Sequence, residues 1–180
     1  MEKQIFKVFV IHQWMMSDLQ KDIINRLNSH PNYDFVDMSY PESKPIENHD
    51  LVLDYACGAM MDSDIIIILP DLNENQLPDY EGDSLYPLKV SSFRKKHGSL
   101  PKKGYLGELQ TIMYDSCSTK PVLVLGWTKE SAEKLARVLD DPEGVFNYTP
   151  DRFYTIGVDE IRKGENIVEK IVSIIKNFNS

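Results

Sequence analysis

Glu108, in the run Lys103-Gly104-Tyr105-Leu106-Gly107-Glu108-Leu109, is the side chain of this sequence best placed for chemistry. It opens a helix-forming segment that follows the strand-like run at residues 65–69 and a long polar stretch. An acid in the first turn of a helix, beside a sheet's carboxyl edge, stands where α/β proteins build ligand sites. That placement makes a cofactor-cleaving enzyme one reading; the other is a solvated acid that complements the helix dipole. Further candidates lie where strand-like runs end. His12 and Trp14 follow the first, Ser39 the second and Asp71 the third, and Tyr105 precedes Glu108. No His, Cys or carboxylate residues have metal-ligand spacing. Gly104-Tyr105-Leu106-Gly107 alone does not make a phosphate loop.

The elements that must carry these residues alternate between strand and helix. Residues 5–11, Ile-Phe-Lys-Val-Phe-Val-Ile, form a strand rich in β-branched and aromatic types. Ser17 reads as the N-cap of the next helix, with Gln20 completing a capping box. Leu19, Ile23, Ile24 and Leu27 give that helix one apolar stripe, and His30-Pro31-Asn32 stops it. Residues 34–37 form a second strand, and residues 38–48, with Pro41 and Pro45, a loop. A second helix turns Leu51, Tyr55, Ala56, Ala59 and Met60 inward. The unbroken apolar run at 65–69 marks a strand covered on both faces. Residues 71–102 form a connection far longer than usual, within which residues 85–90 fit a short edge strand.

The helix begun at Glu108 extends to about Ser116 and leads to a buried strand at 121–126. Thr128 caps a helix with Ala132, Leu135, Ala136 and Leu139 on its apolar side, residues 153–156 give the last strand, and Ile167, Val168, Ile171, Val172, Ile174 and Ile175 stripe the final helix. This alternation predicts a single domain with a five-stranded parallel sheet between two helical layers, of flavodoxin-like order 2-1-3-4-5. The order puts a switch-point crevice between the first and third strands, flanked by His12 and by Pro70-Asp71.

Composition narrows the partners. The chain has 180 residues and a net charge of −8, a surface that repels the phosphate backbone and argues against general nucleic-acid binding. The basic cluster Arg94-Lys95-Lys96-His97 with Lys102 and Lys103 is either a solvated loop or an attractor for an anionic ligand. Cys57 and Cys117 fall in helical patterns and read as buried thiols in a reducing compartment. No apolar run approaches the roughly 20 residues that cross a bilayer, and the start Met-Glu-Lys-Gln-Ile lacks a signal-peptide core. A cytoplasmic protein that does not contact membrane is expected.

Residues 7–12 followed by Asp18 resemble the opening of Toll/interleukin-1 receptor (TIR) domains, and more closely the bacterial TIR-like group that includes Thoeris antiphage sensors. Phe35-Val36-Asp37-Met38-Ser39-Tyr40-Pro41 and Lys44-Pro45-Ile46 look like that group's second strand and mobile loop. Asp64-Ile65-Ile66-Ile67-Ile68-Leu69 looks like its third strand. Gly107-Glu108-Leu109 and Lys120-Pro121-Val122-Leu123-Val124 resemble its catalytic-helix and fourth-strand region. Enzymatic members cleave the nicotinamide–ribose bond of NAD+ as substrate and need no further cofactor. Some hydrolyse the product; others cyclise or conjugate it into a nucleotide signal for an effector protein.

The resemblance implies that Glu108 is the catalytic carboxylate. Gly104 stands where the family often has Trp, with the aromatic Tyr105 next. Their place at the proposed crevice lets Trp14 stack on nicotinamide or adenine and His12 bond a ribose or phosphate, and the resemblance implies that Ser39 lies in a loop that gates the site or meets a neighbouring subunit in a homo-oligomer. For each, the residue pattern allows a plainer role: a hydrophobic staple for Trp14, a hydrogen-bonded loop histidine for His12, solvation for Ser39 and a turn for Asp71. Two alternatives remain open, a non-enzymatic assembly module of the same fold and a nucleoside 2-deoxyribosyltransferase-like enzyme. The second lacks its expected Asp-x-Gly-Thr-like run before the glutamate, and a receiver domain would need an acid ending strand three, where Leu69-Pro70 stands.

Overall fold

The computed structural model describes residues 2–12, 16–39, 49–70, 119–140 and 152–179. Within them the chain runs β1 (Gln4–Ile11), α1 (Ser17–Asn28), β2 (Tyr33–Asp37), α2 (His49–Asp62), β3 (Ile65–Ile68), β4 (Val122–Gly126), α3 (Lys129–Asp140), β5 (Phe153–Gly157), α4 (Val158–Arg162) and α5 (Ile167–Phe178). The five strands are all parallel, in the order β2-β1-β3-β4-β5 that the alternating pattern predicts. Parallel strands need crossovers, so every strand ends at one rim of the sheet and the candidate residues that follow strands start there.

Two apolar layers hold the sheet. Phe6, Val8 and Val10 of β1, with Phe35, Ile65 and Ile67, pack against α1, α4 and α5. Phe9, Ile11, Ile66 and Ile68 point the other way, onto Ala56 and Met60 of α2 and Leu135 and Leu139 of α3. The alternation along β1 is the period-2 consequence of pleating. β3 lies in the centre with all four isoleucines fully buried, which is why its sequence shows no alternation. Each such side chain contributes about 1.5–3 kcal/mol over its exposed state.

The predicted stripes of α1, α3 and α5 all face these layers. Ile23 and Leu27 are buried with Leu19 and Ile24 packed beside them; Ala132, Leu135, Ala136 and Leu139 are buried on α3; the six apolar residues named for α5 are buried. Thr128 caps α3 as expected, its hydroxyl oxygen accepting the Ser131 N–H at 3.2 Å while Ser131 Oγ accepts the Thr128 N–H at 3.1 Å.

Several local expectations differ. Met16, not Ser17, is the N-cap of α1, without a side-chain cap bond. Gln20 turns its amide to Asp37 of β2 instead of completing a capping box. Tyr55 is not inward: it is 40% exposed, and its hydroxyl donates to the Met38 carbonyl at 3.3 Å. A phenol needs a partner for its O–H, and the margin between α2 and β2 supplies one. Cys57 is half-buried rather than buried. Helix α4 has only five residues, too few to show a period in sequence.

Two close contacts tie α3 to the rim. Gly126 and Gly157 are register partners at the ends of β4 and β5. A Cβ on Gly126 would collide with the Ala132 backbone nitrogen and Ser131 Oγ, and would lie 2.6 Å from the Thr128 carbonyl. One on Gly157 would lie 2.6 Å from the Lys129 backbone nitrogen. The first turn of α3 therefore rests directly on the strand ends, which only glycine permits.

Candidate functional site

At the carboxyl rim, the described ends of β1 and β2 meet the first turn of α1. β2 follows β1 as far as Met38, whose N–H donates to the Val8 carbonyl at 2.8 Å. One rung on, side chains replace backbone. Val10 N–H donates to Ser39 Oγ at 2.8 Å, and the Ser39 hydroxyl donates back to the Val10 carbonyl at 3.1 Å. The same carbonyl lies 3.1 Å from His12 Nδ1. A carbonyl oxygen carries two lone pairs, so both donors are accommodated.

The network continues into α1. The Asp37 carboxylate accepts the Ser39 N–H on Oδ1 at 2.9 Å and the Gln20 amide on Oδ2 at 2.8 Å. Gln20 is buried in the first turn of α1 and Asp37 half-buried at the end of β2, so the bonded carboxylate pins α1 to the outer strand. A bond from carboxylate to neutral donors contributes about 1.5–3 kcal/mol. The chain of contacts Gln20–Asp37–Ser39–Val10–His12 thus joins three elements at the rim.

Of the residues singled out from sequence, His12 and Ser39 stand together in this network. Glu108, Trp14, Asp71 and Tyr105 lie outside the described residues, as do Cys117, Lys44, the basic cluster and the expected edge strand at 85–90. The imidazole of His12 reaches back to a carbonyl on the β2 side of β1. That is the opposite side of β1 from the β1–β3 switch point, where Leu69 N–H closes the ladder on the Ile11 carbonyl at 2.9 Å. Asp37 and Gln20 were not identified as site residues from sequence. The available signal was an acid ending a strand beside a loop, with a helical amide 17 residues away whose local capping role was the simpler reading.

Among the described residues no group of three His, Cys, Asp or Glu side chains is arranged to hold a metal ion, and no helix is long and apolar enough to cross a membrane. A hollow of about 350 Å³ lies elsewhere, between Tyr154 of β5 and Asn166, Glu169, Lys170, Ser173 and Asn177 of α5. None of the rim residues lines it. Comparison with protein-family models, curated proteins and solved structures returns no significant match for this chain.

Proposed function

We propose that this protein is a TIR-like enzyme that cleaves NAD+ between nicotinamide and ribose, releasing an ADP-ribose-derived product that serves as a signal in bacterial antiphage defence. The observation that supports it most is the strand order. An all-parallel sheet ordered 2-1-3-4-5 has its switch point between β1 and β3. His12 is the residue that follows β1, and Glu108 lies in the connection between β3 and β4.

Cleaving the N-glycosidic bond places positive charge on the ribose as its electron pair returns to the pyridinium nitrogen. The leaving group is thereby neutralised, so no general acid is required. A carboxylate near the ribose hydroxyls binds the ground state and strengthens its hold as the oxocarbenium character grows. Glu108 takes that role, with Trp14 and Tyr105 as aromatic surfaces for the nicotinamide or adenine and Asp71 as a further ligand contact. Water or a second hydroxyl then captures the anomeric carbon. A second copy of the chain and an effector that reads the product are the partners this reading expects.

The test is nicotinamide release from NAD+ by the purified full-length protein, with and without extract from phage-infected cells as activator. Glu108→Gln should lower the rate by at least about 100-fold, the scale of removing one preorganised electrostatic group. Equal release by the variant and wild type would remove Glu108 from the mechanism. A second reading, a non-enzymatic assembly module, draws on Ile5 and Val36, which are 65% and 45% exposed on neighbouring strands. Concentration-dependent association without NAD+ turnover would favour it.

A further inference from the structure

His12 and Ser39 share one acceptor, and that sharing fixes the chemistry of the imidazole. The Val10 carbonyl can only accept, so the 3.1 Å contact requires the proton on Nδ1. The neutral ring then carries its lone pair on Nε2. Asp37, the acid of the same network, gives its oxygens to Ser39 and Gln20 rather than to the imidazole. Ser39, with its hydroxyl engaged on both the N–H and the C=O of Val10, holds the carbonyl in place under the ring.

We propose that His12 meets its ligand as a hydrogen-bond acceptor through Nε2, and so contacts a hydroxyl rather than a phosphate. The ionised diphosphate linkage of NAD+ offers no proton to a lone pair, whereas a ribose hydroxyl does. Resting on the NAD+ reading, this makes His12 a specificity-determining residue for the sugar, with Ser39 and Val10 as its positioning partners.

Two substitutions separate the ring nitrogens. His12→Asn keeps a donor at the place of Nδ1, so the Val10 contact survives, but removes the acceptor at Nε2. His12→Gln puts a side-chain amide that can accept near the place of Nε2. The first measurement is a long-range proton–nitrogen correlation spectrum of the full chain labelled with nitrogen-15, the His12 ring being assigned by its loss in His12→Asn. It should show Nδ1 protonated and Nε2 bare, with Nε2 shifting when ADP-ribose is added. The second is ADP-ribose binding by calorimetry. His12→Asn should weaken it roughly tenfold, the scale of one hydrogen bond. His12→Gln should stay within about threefold of wild type, and inorganic phosphate should not compete.

A protonated Nε2 in the resting protein, or His12→Asn binding as tightly as wild type, overturns the assignment and leaves the NAD+ reading standing. Wild-type protein that binds neither ADP-ribose nor NAD+ overturns the reading and the hydroxyl contact together.

Discussion

Replacing Ser39 by alanine removes the side chain that bonds β1 beyond Met38, the last backbone rung of β2 among the described residues. Val10 is 1% exposed, and its N–H donates to Ser39 Oγ at 2.8 Å. Alanine leaves that donor without its acceptor, which costs about 1–3 kcal/mol for a buried group. The Val10 carbonyl loses the weaker 3.1 Å donor but keeps His12, so the further penalty is small. A net loss near 2 kcal/mol is expected. With a urea dependence of roughly 2–3 kcal/mol/M, the unfolding midpoint falls by roughly 0.7–1 M. Exchange of the Val10 amide in the native protein should quicken by roughly thirtyfold, the same energy read locally. Ser39→Thr keeps the hydroxyl and should retain most of the stability. An alanine variant with an unchanged midpoint and unchanged Val10 exchange, but weakened NAD+ binding, would refute the reasoning. The hydroxyl would then serve the ligand and not the sheet.

The outer edge of β2 carries a similar device, since Asn28 at the end of α1 accepts the Phe35 N–H at 2.8 Å. Asn28→Ala should speed Phe35 amide exchange by roughly tenfold while lowering global stability by less than about 1 kcal/mol, because alanine is the better helix former and water can reach the edge. Amide exchange with parallel urea titration checks both halves. Gly126→Ala should cost at least about 2 kcal/mol in urea unfolding, since its Cβ would meet backbone of α3 that cannot move aside. Gly58→Ala, where nothing lies within 4 Å on an exposed face of α2, should instead stabilise by about 0.5–1 kcal/mol.

The fold was legible because its strongest signals are long-range consequences of short patterns. Four buried isoleucines in a row demand cover on both faces, and helices between strands demand parallel crossovers. Those two constraints make the sheet parallel and covered on both faces, while its order rests on the flavodoxin-like choice among doubly wound sheets; the stripes on α1, α3 and α5 show which helix faces meet it. Local polar chemistry was less legible. Ser17 and Gln20 have the spacing of a capping box, yet Gln20 is drawn to a carboxylate on another element. A tertiary partner outcompetes a local one when burial removes water from the contact, and at 8% exposure Gln20 is in that regime. Tyr55 fits the apolar stripe of α2 by position, but the need to satisfy its hydroxyl moves it to the margin.

The site was legible only as a location. Strand ends predict that His12 and Ser39 reach one rim, because parallel strands all finish there. They do not predict which main-chain groups those side chains take, since that depends on where β2 leaves β1. Met38 makes the last β1–β2 backbone bond among the described residues, and beyond it side chains take the N–H and carbonyl of Val10. The rim of a parallel sheet is thus a place where backbone groups recruit side chains, and the recruitment sets which atoms those side chains have left to offer. For Ser39 both the donor and an accepting lone pair go to the sheet. For His12 only the donor goes, and the lone pair on the far nitrogen is what the ring can bring to a ligand.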